Sequence, residues 1–362
     1  AAAYHSLPDS AMGKDLSAWL LPHILVEDSK QVLREYALTL RVAEDPAQEA
    51  PARGQRRGQR PSDSFAQAWV ALAQQHDGND RWYLEALGIG SMGRETRALR
   101  GWLASLGQDQ TWNTPAGRDL IWRVRSPIAF SYLTRLLNDN VASDESLLRY
   151  LRAFDFLPDG GEKDSALLRV LAVNSRQRLP IAVDVLKRLA KSGENNKSAV
   201  RLVLNRVLQK TKGQPEYLAL VEAYNLLDRY QEVLDGALAD VKNPGAQSAL
   251  KFLLTHEDSR KMVHAAFNSP KAEAVAALLG GSSDKSAVTM LSSVVSNAKT
   301  PTPVCAAAVK ALSLTSGGAQ ALIALAEENK LPEGQKITAR TALAMVQYPN
   351  LSERINKAFP AP

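Results

Sequence analysis

Apolar residues recur along this chain with the period of a helix and almost never with the alternation of a strand. From Asp28 to Ala43, Val32, Leu33, Tyr36, Ala37 and Leu40 fall on one stripe, and Asp28 with Gln31 has the spacing of a capping box, which predicts an amphipathic helix of four turns. The pattern repeats from Asn196 to Lys210, where Val200, Val203, Leu204, Val207 and Leu208 share a face, Gly213 ends the helix and Pro215 opens the next. Further helices are predicted at Ser143–Phe156, Pro180–Lys191, Ser283–Asn297, Thr302–Leu314, Gly318–Glu328 and Pro332–Gln347. Breaks between them are short. The rhythm predicts about twenty helices of roughly 10 to 16 residues, paired antiparallel with a repeat of about 35 to 40 residues, the HEAT range rather than a strict TPR register. A helix pair cannot bury its apolar stripe alone, so consecutive pairs stack. The expected fold is therefore an all-α, HEAT/armadillo-like α-solenoid, a right-handed superhelix of antiparallel helix pairs.

Composition supports that expectation and divides the chain. Of 362 residues, 53 are Ala and 50 are Leu, the two most helix-favouring types. All six tryptophans (Trp19, Trp69, Trp82, Trp102, Trp112 and Trp122) precede residue 123, whereas the last hundred residues are rich in Ala and Ser. We therefore expect an irregular, Trp-rich subdomain over residues 1–160, with a basic loop at 46–63, and regular Ala/Leu-rich repeats over 161–362. A mean hydropathy of −0.22 and the lack of any run of 18 apolar residues exclude a transmembrane helix by sequence. Residues Ala1 to Pro8 lack the charged and apolar regions of a signal peptide, so a removed signal, a fragment and a cytosolic protein all stay open.

The formal charge is +6, but Arg53, Arg56, Arg57 and Arg60 supply four of those charges within eight residues. Their setting of prolines and glycines has no apolar period and predicts a solvated loop, with an anionic partner as the alternative. A nucleic-acid binder spreads its cations along a face, so nucleic acid is not the expected partner. The single cysteine, Cys305, excludes an internal disulfide, a cysteine zinc site and CxxCH haem attachment, and its alanine-rich surroundings predict a buried inert thiol. His256 and His264 stand eight apart, too far for helical metal ligands. Gly88-Ile89-Gly90-Ser91-Met92-Gly93 matches a dinucleotide fingerprint, but the preceding segment from Asp80 is helical, with Arg81 and Glu85 four apart. A helix-to-helix turn is therefore expected in place of a phosphate cradle.

The most distinctive stretch is 112–123. Thr114-Pro115 marks a helix start, and Arg118 and Trp122 follow on one face, a spacing suited to cation–π packing or to gripping an anion or base. Trp112, Arg118, Asp119, Trp122 and Arg123, with Arg53, Arg56, Arg57 and Arg60, are the candidate partner-binding residues. The favoured reading of the cluster is nevertheless a structural knot that holds two irregular repeats, with partner binding and base chemistry as the alternatives. No catalytic, metal or cofactor-binding residue is assigned, and no cofactor is expected in this chain.

The strings DRWYLEALGIG (80–90), WNTPAGRDLIWR (112–123) and YLRAFDFLP (150–158) resemble the helical region of the PVC-type haem-binding proteins, over residues 25 to 160. In that family a sorbosone-dehydrogenase-like β-propeller is followed by HEAT repeats and a c-type haem domain. This chain has neither the CxxCH nor the propeller pattern, so no catalytic or haem residue carries over. The resemblance implies a helical spacer of a large bacterial dehydrogenase/cytochrome-type protein, periplasmic or secreted, that holds adjoining domains or docks a protein partner. Two other readings stand beside this scaffold: a HEAT-like nucleic-acid binder or DNA glycosylase-like enzyme working through the Trp/Arg/Asp cluster, and a self-assembling structural protein whose open ends associate.

Overall fold

The computed structural model describes residues 15–42, 63–107, 111–139, 143–193 and 198–360. Among them are 21 α-helices, a few short 3-10 turns and no strand, and no helix is long and apolar enough to cross a membrane. The chain forms two compact units, Ala1–Val207 and Leu208–Pro362. The basic loop and its four arginines, Arg53, Arg56, Arg57 and Arg60, lie outside the described residues.

In the first unit the helices are α1 (Leu16–Val26), α2 (Lys30–Thr39), α3 (Ser64–Gln74), α4 (Arg81–Gly90), α5 (Glu95–Ser105), α6 (Pro115–Arg123), α7 (Ala129–Leu137), α8 (Asp144–Leu151), α9 (Gly161–Gln177) and α10 (Leu179–Lys191). The helix α11 (Ser198–Thr211) carries the division between units. The second unit continues with α12 (Pro215–Ala223), α13 (Tyr230–Ala239), α14 (Pro244–Leu253), α15 (Glu257–Ala265), α16 (Ala272–Gly280), α17 (Lys285–Ser296), α18 (Thr302–Leu312), α19 (Ser316–Glu327), α20 (Lys336–Val346) and α21 (Ser352–Ala358). Within each unit a helix packs on its successor and on the helix after that: α1 on α3, α2 on α4 and α3 on α5 in the first, α16 on α18, α17 on α19 and α18 on α20 in the second. Two layers of alternate helices result, a pattern consistent with an α-solenoid.

Local chemistry sets the helix starts. The side chains of Asp15, Asp63, Asp80, Thr114 and Ser143 accept backbone N–H groups of the first turns they precede, as do those of Asn243, Asp284 and Thr315 in the second unit. Several boundaries differ from the sequence expectation. The α2 cap is Ser29 rather than Asp28. The stretch 143–156 is α-helical only to Leu151 and then tightens into a 3-10 turn, Arg152–Phe156, which buries Ala153 and Phe154. Likewise Pro332 leads into a 3-10 turn, Glu333–Gln335, before α20 begins at Lys336. Helices are also shorter than periodicity suggests, many of them 8 to 11 residues, because each needs to bury only a two- or three-turn stripe against its neighbours.

Candidate functional site

The candidate residues of 112–123 hang on α6. Thr114 Oγ1 accepts the Gly117 amide at 3.0 Å and Pro115 occupies the first turn, as the sequence predicts. The helix buries Asp119, Leu120 and Ile121. A carboxylate among apolar neighbours needs compensation, and two other elements of the unit supply it. Arg149, on α8, donates from Nη2 to Asp119 Oδ1 at 2.8 Å, and His76 Nε2, from the segment between α3 and α4, stands 3.6 Å from Oδ2, within ion-pair range but beyond hydrogen-bond length. His76 is buried, stacks on Tyr83 with ring centroids 6.0 Å apart, and neither ring nitrogen has a hydrogen-bond partner among the described residues.

Arg149 does more than neutralise Asp119. Its guanidinium lies 4.7 Å from the centroid of the Trp122 ring, and its backbone carbonyl accepts the Trp122 Nε1 proton at 3.0 Å. The cation on Trp122 is thus Arg149, not Arg118, the neighbour on its own helix face. Arg118 instead donates to Asn113 Oδ1 at 2.7 Å, because the loop before α6 folds back over the first turn. Tyr150 closes the cluster. Burial pushes its phenol up, the Arg149 and Arg118 cations pull it down and the Asp119 charge pushes it up again, with a net rise.

The remaining candidates sit elsewhere. Trp112 meets Tyr132 edge to face at 5.2 Å, with the Arg135 guanidinium 5.3 Å from its ring centroid, both from α7. Arg123 turns toward α4 and donates to Glu85 Oε2 at 2.8 Å. Its guanidinium crosses α4 at Gly88, where a Cβ would stand 2.1 Å from Cζ. That contact explains the first glycine of the dinucleotide-like motif. The second, Gly90, lies where a Cβ would be 2.1 Å from the Ala37 carbonyl oxygen, and the third, Gly93, has φ +82 after the helix end. Two of the three glycines are therefore inside a helix, where they permit close packing, and only Gly93 serves the turn. Glu85, expected near Arg81, is bound to Arg123 instead.

Of the other groups, His256 precedes α15 amid Tyr230 and Phe252, and His264 lies 3.3 Å from the Ser293 hydroxyl. Among the described residues no group of three or more His, Cys, Asp or Glu side chains could hold a metal ion. Cys305 is buried, and that burial pushes its thiol up. An open recess is lined by Leu148, Arg152, Asp155, Phe156, Asp184 and Arg188. Its Arg188 is gripped by two carboxylates, Asp155 at 2.7 Å and Asp184 at 2.6 Å.

The geometry therefore unites Asp119 and Trp122 through Arg149 and separates Trp112 and Arg123 from them. Neither Arg149 nor His76 stands out in the sequence. An indole N–H next to a buried aspartate signals that partners are required, without saying which. Chemically the cluster braces α6 against α4 and α8, with Arg149 half exposed at its edge. No family model, curated protein or solved structure matches this chain.

Proposed function

We propose that this chain is a non-catalytic helical-repeat scaffold of the HEAT/armadillo type, acting as an interaction region or spacer between other domains. The observation that carries the reading is the recurrence, in each unit, of packing between a helix and its next-but-one neighbour, which presents extended surfaces instead of a single enclosed site. The candidate side chains agree with this role. Asp119, Arg123, Arg118 and Arg188 spend their charges on side chains of their own unit, Arg149, Glu85, Asn113, Asp155 and Asp184, so they serve the framework.

The resemblance over residues 25 to 160 narrows the proposal to the helical spacer of a large extracytoplasmic dehydrogenase/cytochrome-type protein. Intact mass and peptide mapping of the native protein, with a haem stain on the same gel, test it. A longer, haem-positive product carrying these peptides is the expected result. A haem-negative product ending near Pro362 overturns the spacer assignment.

A further inference from the structure

The arginines that brace the helices of the first unit take their carboxylates from earlier in the chain. Arg97 pairs with Asp63, Arg123 with Glu85, Arg149 with Asp119 and Arg188 with Asp155, each acid standing 30 to 38 positions before its cation. Arg125 and Arg152 have no such acid. Both are exposed, and neither has a carboxylate within ion-pair range among the described residues, the carboxylates of Asp119 and Asp155 being taken by Arg149 and Arg188. Phe156 joins these two cations. The Arg125 guanidinium lies 4.6 Å from its ring centroid, Arg152 lines the same recess as Phe156, and the ring is still 56% exposed. A guanidinium resting on a ring keeps a fork of N–H donors to offer, so the patch suits carboxylates beside apolar side chains.

The same unit carries a patch of the opposite character. At the end of α1, Leu25 and Val26 are 66% and 80% exposed, and Glu27 and Asp28 follow directly, neither with a cation in ion-pair range among the described residues. Lys30 is engaged elsewhere: it donates to the Gln75 carbonyl and lies 5.4 Å from the Tyr83 ring centroid. The C-terminal end of a helix adds partial negative charge of its own. Other exposed apolar residues lack this setting. Val42, Trp82, Leu202 and Ile337 each follow an arginine or a lysine, and Asp228, beside Leu227, is held by Arg229 at 3.2 Å. Segment 25–28 is thus the chain's own complement to the arginine patch, with two aliphatic side chains for one ring and two carboxylates for two guanidiniums. Both patches are exposed, so they do not cover each other within one copy.

We propose that segment 25–28 of one copy docks on the patch of Arg125, Arg152 and Phe156 of a second copy, so that this chain associates with itself. Because the two patches differ, the contact is heterologous, and the assembly grows head to tail unless it closes into a ring. Exposed charge pairs each add little, so the contact is weak and shows itself at high concentration. The inference goes beyond the scaffold reading and does not depend on the spacer assignment.

Sedimentation of the full 362-residue chain from about 10 µM to about 1 mM is the test. The weight-average mass should rise with concentration at low salt and fall back toward the monomer at about 1 M salt. Two neutralised variants, Arg125→Gln/Arg152→Gln and Glu27→Gln/Asp28→Asn, should each stay monomeric with unchanged helix content and thermal midpoint, since none of the four charges is paired among the described residues. An equimolar mixture of the two should form a dimer and nothing larger, because it holds one intact patch of each kind. A wild-type chain that stays monomeric overturns the proposal. So does association that either variant retains, because one of the patches would then not be needed. A mixture that stays monomeric, or that grows past the dimer, also overturns it. A haem-negative native product would remove the spacer assignment and leave this result untouched, whereas a monomeric chain would remove the self-association alone.

Discussion

The helices around Trp69 and those around Gly280 solve the same packing problem with opposite side chains. In the first unit α3 and α4 are held apart by large residues: Phe65, Trp69 and Tyr83 are fully buried, and their polar tips are specified, with Trp69 Nε1 donating to the Leu87 carbonyl at 3.0 Å and the Tyr83 hydroxyl to the Leu72 carbonyl at 2.7 Å. In the second unit α16 and α18 come so close that a Cβ on Gly280 would lie 2.8 Å from the Ala311 Cβ. Large aromatic residues require particular partners and tolerate irregular spacing, whereas small residues require only proximity and enforce regular spacing. Polar braces such as Asp119–Arg149 accordingly accompany the aromatic packing of the first unit.

This contrast can be broken one side chain at a time, and the chain carries separate reporters for its two halves. All six tryptophans lie in the first unit and the one cysteine in the second. Cys305 is 4% exposed and its thiol is pushed up by burial, so it should react with a thiol reagent only when the second unit opens.

The largest effect is expected from Trp69→Ala, which removes a fully buried indole and should destabilise the first unit by about 3–5 kcal/mol. The five remaining tryptophans report it as a lower urea midpoint, with Cys305 protection unchanged. A parallel fall in Cys305 protection would mean that the two units unfold as one and would dissolve the comparison. Arg149→Ala comes next, at about 2–3 kcal/mol, because it removes the hydrogen bond to the Asp119 carboxylate, 8% exposed, and leaves His76, 3.6 Å away, as its ion-pair neighbour among the described residues. In a double-mutant cycle with Asp119→Ala the combined loss should be smaller than the sum. Additivity would deny the brace.

In the second unit, Gly280→Ala should cost about 1–3 kcal/mol by overpacking against Ala311 and show up in Cys305 reactivity. Ala311→Gly in the same chain should recover part of it. A neutral Gly280→Ala would mean that the helices of this unit slide apart freely, contrary to the regular packing described above.

The smallest effect concerns pH. Asp63 caps α3 by accepting the Ala66 amide and pairs with Arg97 at 2.6 Å. Partial burial raises its pKa, but the hydrogen bonds from Arg97 and Ala66 and the cations of Arg97 and Arg94 outweigh that and hold the carboxyl below the usual carboxylate range. A carboxyl depressed in the folded state stabilises fully above its unfolded pKa and loses that contribution as pH falls through the folded value. Stability of the first unit should therefore drop below about pH 4, and Asp63→Asn should cost about 1 kcal/mol at neutral pH while flattening that acid limb. An unchanged acid limb in the variant would assign the acid loss to other carboxylates.

The legible part of this protein was local. Asp80, Thr114, Ser143 and Pro215 mark helix starts by hydrogen bonding and fixed backbone angles within a few residues, and apolar periodicity marks which face each helix buries. The end of the α-helix at Leu151 escaped because the 3-10 turn that follows keeps an apolar spacing close to that of the helix and buries Phe154. The candidate cluster is only partly legible: helical spacing sets Arg118 beside Trp122, whereas the guanidinium over that ring, and on Asp119, comes from Arg149 on another helix.

What the sequence determined by itself is therefore the all-helical class, most helix starts, the burial of Cys305 and the helix, Arg81–Gly90, in which the glycine motif begins. These follow from interactions among residues close in sequence. What only the tertiary structure decided is which distant side chains meet: Arg149 with Asp119, 30 positions apart, and Arg123 with Glu85, 38 apart. A charge satisfied across helices has several partners of equal merit along the chain, and only the packing of one helix on another brings one of them within reach.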